Sequence, residues 1–264
     1  MKERIISGAV LVVLMFALGL AGGNILLFAM LLISLRGMFE LYRVFGIHLK
    51  PVGVLGYIFC VLYYLNLGFA DNRFFIPIAV LFLIALLTCY VITFPKYHAD
   101  QILVTYFGFF YVDVMLSYIY RTRMLENGIY IVWLIFLCSW ISDTCAYFTG
   151  VAFGKHQMAP KLSPKKSVEG AIGGIMGSTL LTALYVYLLR NTMQITTREI
   201  LLFGLFAGIG AVISMIGDLA ASAIKRNYDI KDYGRLIPGH GGILDRFDSV
   251  IITAPMIFYL GGLL

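Results

Sequence analysis

Residues 74–94, FFIPIAVLFLIALLTCYVITF, run for 21 positions without a charged side chain. A helix of about 20 apolar residues is long enough to cross the hydrocarbon core of a bilayer, which is roughly 30 Å thick. Comparable runs recur along the whole chain of 264 residues, which is 61% hydrophobic and 13% charged, with a mean hydropathy of +0.90. Soluble domains carry about 25% charged residues. These values exclude a soluble globular domain and predict a single membrane domain over residues 1–264.

The order of apolar runs and helix breakers predicts an all-α, polytopic helical bundle with about nine transmembrane helices. The N-terminal segment also resembles a signal peptide, because a basic end precedes an apolar run. Further membrane segments follow it instead of a soluble domain, so it is interpreted as the first span. The candidate spans are residues 5–21, 24–45, 52–70, 74–94, 102–120, 129–150, 168–189, 200–222 and 249–264.

Basic residues are distributed unevenly between the two sides of this bundle. One side, with the N-terminus and the loops 151–167 and 223–248, has 15 of the 20 lysines and arginines, and the other has 5. Merging the first two spans, whose boundary is the weakest, would change the count to 13 and 7. Because cytoplasmic loops accumulate Lys and Arg, we expect an inner-membrane protein whose N-terminus and long loops face the cytoplasm. The same rule explains the net charge of +6 without a nucleic-acid partner.

Polar side chains concentrate in residues 217–248, GDLAASAIKRNYDIKDYGRLIPGHGGILDRFD. This segment has five of the chain's 14 acidic residues and five basic ones. Asp218 is predicted at membrane depth, where a carboxylate is costly unless it is paired, metal-bound or exposed to water. On a helix, four polar residues at i, i+4, i+7 and i+11 spacing would share one face: Asp218, Ser222, Lys225 and Asp229.

The stretch Pro238-Gly239-His240-Gly241-Gly242 is incompatible with a regular helix. Its glycines would let backbone N–H groups approach an anion such as phosphate. Beyond it, Asp245 and Asp248 are expected at the start of the last helix. Carboxylates clustered beside Lys and Arg predict a metal–polyphosphate site, because Mg²⁺ takes one or two carboxylates together with substrate phosphates.

A second polar cluster lies in residues 142–170, SDTCAYFTGVAFGKHQMAPKLSPKKSVEG. Asp143 is another acid at membrane depth. The lysines alone would reflect only the positive-inside rule, but they lie on the same side as the acidic segment, so both loops can meet around one polyanion. Asp113, in the fifth span, is interpreted as structural. The basic patch of this loop consists of Lys155, Lys161, Lys165 and Lys166.

Residues 222–248 resemble the C-terminal signature of phosphatidate cytidylyltransferases (CDP-diacylglycerol synthases). That signature runs S-x-x-K-R-x(4)-K-D, a small residue, and then P-G-H-G-G-x-x-D-R-x-D, and every fixed position is present. The upstream stretches KLSPKKSVEG and SDTCAYFTG are similar to two further segments of the family. The resemblance covers roughly residues 139–250, while the N-terminal half matches only in being apolar.

The resemblance implies CTP and phosphatidic acid as substrates, CDP-diacylglycerol and pyrophosphate as products, and Mg²⁺ as cofactor, in a one-metal or a two-metal site. On this hypothesis the metal ligands are Asp218, Asp245, Asp143 and Asp248. The predicted catalytic residues are Asp218, Asp245, Asp248, Lys225, Arg226 and Arg246. The predicted substrate-binding residues are Lys165, Lys166, Ser222, Lys231, Gly239, His240, Gly241 and Gly242.

Two alternatives stay open. A CTP-dependent polyprenol kinase, or a cytidylyltransferase for another lipid phosphate, would use the same residue types. A secondary transporter of an anionic solute shares intramembrane acids and glycine-broken helices, although no internal repeat relates the two halves. Glycines at small-xxx-small spacing favour close helix packing and leave homo-oligomerisation open, and the resemblance implies a dimer. These pairs are Gly170-Gly174, Gly173-Gly177 and Gly204-Gly208.

Overall fold

The computed structural model describes residues 2–239 and 241–262, most of which are helical. The apolar runs form the helices, and glycine and proline mark several of their ends. The helices are α1 (Lys2–Ala21), α2 (Gly23–Val44), α3 (Pro51–Phe69), α4 (Phe75–Ile92), α5 (Ala99–Arg123), α6 (Gly128–Phe153), α7 (Val168–Met193), α8 (Thr197–Asn227), α9 (Leu244–Phe247) and α10 (Val250–Gly261).

Seven helices of the described chain, α2 to α8, are long and apolar enough to cross a membrane. Residues Ile6–Ala21 and Val250–Gly261 form shorter apolar helices. The expectation of a polytopic helical membrane protein is confirmed, whereas the count of nine spans stays a prediction. The break between α1 and α2 lies at Gly22 and Gly23, whose φ angles of 61° and 49° suit glycine best.

Two of the long helices contain a π-helical turn. In α5 this turn is Phe109–Val114, and in α6 it is Leu137–Ile141. Such turns are rare and often occur at functional sites. The turn in α5 carries Asp113, which is fully buried and accepts a hydrogen bond from the Cys60 thiol at 3.2 Å.

The loop predicted at residues 151–167 has regular structure at both ends. Helix α6 continues to Phe153, and two short antiparallel strands follow, β1 (Gln157–Ala159) and β2 (Ser163–Ser167). The all-α expectation did not include this hairpin. Its second strand, SPKKS, has no hydrophobic alternation to indicate a strand, so the pairing with β1 defines it and not intrinsic propensity.

The described residues form two compact units. The first contains the residues up to Tyr120 together with Asp232–Arg246, and the second contains Arg121–Lys231 and the residues from Phe247 onward. The polar segment that is continuous in sequence is therefore divided. Its middle belongs to the first unit, and its two flanks belong to the second.

In the first unit, Tyr42 connects three helices. Its hydroxyl donates to the Thr105 carbonyl at 2.7 Å, and its ring lies against Gly56 of α3 and Gly108 of α5. A Cβ at either glycine would come within 2.6 Å of the tyrosine side chain, so neither position has room for a larger residue. This packing fixes the end of α2, where the charged residues of that helix lie.

In the second unit, α6 and α7 approach closely along the glycine repeat. A Cβ at Gly170 would lie 2.7 Å from the carbonyl oxygen of Ala146, and one at Gly174 would lie 2.9 Å from that of Ser142. Small residues allow helix backbones to approach in this way inside a membrane. These glycines therefore serve packing within the chain.

Candidate active site

A cleft of about 640 Å³ opens in the second unit, between the end of α6, the β1–β2 hairpin, the start of α7 and the middle of α8. Four of the charged residues singled out in the sequence line it together: Asp143, Lys165, Lys166 and Asp218. Its apolar lining includes Tyr147, Val151 and Met215. The structure thus places one residue of the first polar cluster, Asp218, beside three charged residues of the second around one cavity.

The hairpin places the two cleft lysines where α7 begins. Ser167 follows them and caps the helix, because its hydroxyl accepts a hydrogen bond from the Gly170 N–H at 3.1 Å. In the first turn of α7, Glu169 accepts hydrogen bonds from the backbone N–H groups of Lys155 and His156 at 3.1 and 3.2 Å. These contacts hold β2 at the N-terminus of α7.

Lys166 forms an ion pair with Asp218 across the cleft. Both side chains are 24% exposed, so the pair is screened less than one on an open surface. Beyond this ion pair, none of the described residues accepts a hydrogen bond of normal geometry from the Lys166 ammonium. An ammonium can donate three hydrogen bonds, and this one therefore retains donor capacity inside the cleft.

Asp248 lies in the turn between α9 and α10 and is 9% exposed. Burial raises the pKa of Asp248 to about 8, the negative charge of Asp218 adds to the rise, and the positive charge of Lys225 opposes it. Asp143 contributes a smaller repulsion. The approach of α8 to this turn depends on Gly217, where a Cβ would lie 2.8 Å from the Asp248 carbonyl oxygen. The predicted acids of the second unit therefore interact electrostatically.

Carboxylate oxygens such as those of Asp218 and Asp248 are the ligand type that a divalent cation such as Mg²⁺ prefers. Within residues 2–239 and 241–262, no three His, Cys, Asp or Glu side chains are grouped to hold one ion. Mg²⁺ does not need three, because it commonly takes one or two carboxylates and completes its shell with water and substrate phosphate oxygens. Asp218 and Asp248 repel each other in a partly buried setting, and a cation would relieve that repulsion.

The remaining predicted acid, Asp245, has a different environment, in the part of the first unit that we call the signature loop (residues 232–246). One of its carboxylate oxygens, Oδ2, accepts hydrogen bonds from the backbone N–H groups of Tyr233, Gly234 and Gly242 at 2.8, 3.4 and 2.9 Å. Gly241, with φ of 82°, packs against the same carboxylate. Asp245 is 6% exposed and organises the loop from inside.

Comparison with known proteins identifies the family of the chain. The model of the cytidylyltransferase family matches residues 2–264. The chain belongs to this family. It is 32% identical to a phosphatidate cytidylyltransferase of Bacillus subtilis (strain 168), over 98% of this chain and 97% of the relative. The resemblance stated from the sequence is confirmed.

Two further relatives match over shorter segments. A phosphatidate cytidylyltransferase of Thermotoga maritima is 38% identical over 56% of this chain and 54% of its own length. One of Haemophilus influenzae is 41% identical over 50% of this chain and 46% of its own length. The alignments with these two therefore span about half of each relative.

Glu40 is a residue of this cytidylyltransferase that the sequence interpretation missed. It lies on α2, is fully buried, and accepts a hydrogen bond from the Leu244 N–H at 2.9 Å. Arg36 pairs with the same carboxylate at 3.2 Å, and Arg43 donates to the Tyr233 carbonyl oxygen. The three charges at positions 36, 40 and 43 of a candidate span were a usable signal, since charged residues in membrane helices are rare and often functional.

Two details of the predicted helix pattern are wrong. Helix α8 ends at Asn227, and Asp229 lies beyond it with φ of 51°, so Asp229 does not share the face of Asp218. Asp245 and Asp248 do not start one helix together. Asp245 lies on α9, which ends at Phe247, and α10 begins only at Val250.

The other predicted residues are distributed over both units. Ser222, Lys225 and Arg226 lie in the last part of α8, and Lys231 is exposed after it. Arg246 is on α9, Gly239 has φ of 73°, and the Gly242 N–H is already bonded to Asp245. His240 lies outside the described residues. The catalytic, metal and substrate roles assigned to these residues stay predictions.

Proposed function

We propose that this cytidylyltransferase acts on phosphatidic acid, transferring the cytidylyl group of CTP to the lipid phosphate and releasing pyrophosphate. The full-length similarity to the Bacillus protein supports this assignment. The observation that carries it is the cleft, in which two lysines and two carboxylates lie beside an apolar wall in a membrane-embedded chain. A lipid phosphate and a nucleotide triphosphate need this combination of surfaces.

The reaction needs little proton transfer. A phosphate monoester carries about −1.5 to −2 charges at neutral pH, so its oxygen can attack the α-phosphorus of CTP directly. A new P–O bond forms to the lipid phosphate, the bond between the α- and β-phosphates breaks, and pyrophosphate leaves with the electron pair. The obstacle is the repulsion between two anions, which positioning and positive charge overcome.

Lys165 and Lys166 are the cationic residues of the cleft that we assign to substrate phosphate. When substrate phosphate binds, it would replace Asp218 as the anionic partner of Lys166. When a cation binds, it would replace Lys166 as the cationic partner of Asp218. The charges therefore stay balanced in both exchanges. Asp218 and Asp248 would hold Mg²⁺, with Asp143 nearby. When bound, Mg²⁺ would supply positive charge to phosphate oxygens.

The lipid would reach the cleft from the side. Tyr147 and Val151 on the cleft side of α6 are 67% and 72% exposed, and both are among the cleft-lining residues. Exposed apolar side chains of a membrane helix contact acyl chains at no desolvation cost. We therefore propose that the acyl chains stay in the bilayer while the phosphate enters the cleft.

The excess of Lys and Arg on one side supports a cytoplasmic orientation of the cleft loops in the inner membrane. CTP would then reach the site from the cytoplasm. The homodimer implied by the resemblance stays a prediction, because the glycine repeat of α7 already packs within the chain.

The test is pyrophosphate release by purified protein in detergent with CTP, phosphatidic acid and Mg²⁺, each omitted in turn. We expect release only when all three are present, with a CDP-linked lipid as product. Release of CDP would instead indicate a kinase. The absence of any nucleotide turnover by folded protein would contradict the proposal and favour the transporter.

A further inference from the structure

Two buried carboxylates, and not one, organise the signature loop. Asp245 belongs to the loop itself, whereas Glu40 comes from α2, 204 residues earlier in the chain than its partner Leu244. Glu40 accepts the Leu244 N–H, which directly precedes Asp245 and Arg246. A shift of the Glu40 carboxylate would therefore move the backbone that carries both of these signature residues.

Two glycines of the loop pack directly against the same carboxylate. A Cβ built at Gly234 or Gly242 would overlap the Glu40 side-chain oxygens. At Gly242 the three nearest atoms to that Cβ all belong to Glu40, and its φ lies outside the left-handed range. Glycine is required at position 242 because of Glu40 and not because of backbone conformation.

The charge of Glu40 is balanced locally. Arg36, one helical turn earlier, pairs with it, and Arg43, one turn later, holds the loop through the Tyr233 carbonyl oxygen. A buried carboxylate that accepts backbone N–H bonds and pairs with a guanidinium keeps a fixed position, because each alternative would leave a polar group unsatisfied. This end of α2 is therefore built to hold the loop.

We propose that Glu40 is a positioning residue for cytidylyl transfer, acting through the backbone of the signature loop to fix where Asp245 and Arg246 stand. This inference rests on the proposed function. It assigns a role in the reaction to the N-terminal half of the chain, which lies outside the signature segments at residues 139–250.

The first test separates positioning from general stability. We expect Glu40→Ala to lower kcat by roughly 10²-fold per folded molecule, since a misplacement of about 1 Å can have that effect. The KM for phosphatidic acid should change less than about threefold, because Lys165 and Lys166 belong to the other unit. Glu40→Gln retains an acceptor for the Leu244 N–H, so it should recover part of the lost kcat.

The matched control is Ser34→Ala. Ser34 lies on the same helix, is also fully buried, and bonds to the Tyr64 hydroxyl at 2.9 Å, away from the loop. Its removal should leave kcat per folded molecule within about threefold of the original. Near-normal kcat in folded Glu40→Ala, or an equal loss of kcat in Ser34→Ala, would overturn the proposal.

The second test examines the contact itself through a double-mutant cycle. Gly242→Ala should be severe in the original protein, where the new methyl group overlaps Glu40. In the Glu40→Ala background the same change should have little further effect, because the overlapping group is gone. An equal effect in both backgrounds would mean that Glu40 does not shape this position.

The third measurement does not depend on turnover and so separates this inference from the proposed function. Amide hydrogen exchange should accelerate in peptides covering residues 232–246 of Glu40→Ala, and not in those of Ser34→Ala. If the original protein makes no CDP-linked lipid, the proposed function fails. Unchanged exchange in an active original protein would overturn the role of Glu40 alone.

Discussion

The signature loop of the first unit and the cleft of the second use the same residue types in opposite ways. In the loop, Asp245 is directed inward and accepts three backbone N–H groups. In the cleft, Asp218 is part-exposed and faces a lysine side chain. A carboxylate bonded to backbone has one position, whereas one paired with a flexible lysine can exchange its partner. The comparison indicates that the carboxylate of the signature loop has a structural role, whereas the charged residues of the cleft bind and release substrate and cation.

The largest expected effect tests the cleft side of this comparison. Asp218→Asn removes the negative charge that faces Lys166 and that we assign to the cation. We expect kcat/KM to fall by about 10³-fold or more, because metal and electrostatic stabilisation of transferring phosphoryl groups contributes several kcal/mol. The measurement is pyrophosphate release, and the thermal unfolding midpoint should stay almost unchanged.

Asp229→Asn is the matched control for this prediction. Asp229 is an exposed acid just beyond the end of the same helix. Its replacement should keep kcat/KM within about threefold of the original, as for most surface substitutions. A comparable loss in both variants would argue for a general charge effect and against a specific role of Asp218.

The second prediction tests the loop side. Asp245→Asn removes the negative charge from the oxygen that accepts three N–H bonds and introduces an NH₂ donor beside it. Hydrogen bonds to charged groups contribute about 1.5–3 kcal/mol each, so we expect a loss of stability of about 3 kcal/mol together with lost activity. Thermal or denaturant unfolding measures the difference. If Asp218→Asn lowered the stability of the protein as much as Asp245→Asn, the distinction between a structural loop and a ligand-binding cleft would be wrong.

The third prediction concerns Lys166, the cationic partner of Asp218 in the cleft, whose loss should lower activity less than the loss of Asp218. Lys166→Met retains most of the apolar stem but loses the ammonium, and we expect kcat/KM to fall by about 10- to 100-fold through weaker phosphate binding. Lys161→Met, in the exposed turn of the hairpin, should change kcat/KM less than about threefold. Steady-state kinetics with varied CTP and phosphatidic acid would separate the two variants. Equal effects would mean that any lysine of the basic patch suffices.

The smallest expected effect concerns the helix packing beneath the cleft. Gly174→Ala would place a methyl group 2.9 Å from the Ser142 carbonyl oxygen and should cost about 1–3 kcal/mol of stability. Gly204→Ala places its methyl group 3.4 Å from the Ala183 Cβ, an ordinary contact, and should be nearly neutral. Unfolding midpoints of both variants in detergent provide the measurement. Similar midpoints would show that α6 and α7 have room to separate.

Several features were predictable because local sequence determines them. The 21-residue uncharged run and its equivalents identify membrane helices whatever surrounds them, since lipid requires backbone bonds to be satisfied within each segment. The signature around Pro238–Gly242 indicates the family by itself. The sequence also predicted that the two polar loops could meet around one polyanion, because both lay on one side, but it did not predict the ion pair between Lys166 and Asp218.

Other features could not be read from local patterns. The hairpin of residues 157–167 lacks strand character and exists through pairing. Asp245 and Asp248 belong to different units, although they are only three positions apart in the sequence. Glu40 lies within candidate span 24–45, and its partner Leu244 is 204 residues away in the sequence.

The sequence by itself determined the membrane class, the polar segments and the family, because composition and fixed motifs do not depend on long-range contacts. Only the tertiary structure decided what each acid does. The cost of a carboxylate depends on the groups that surround it, and those groups come from distant parts of the chain. Asp245 is surrounded by backbone N–H groups, Asp218 by a lysine and other acids, and Glu40 by a loop 204 residues away.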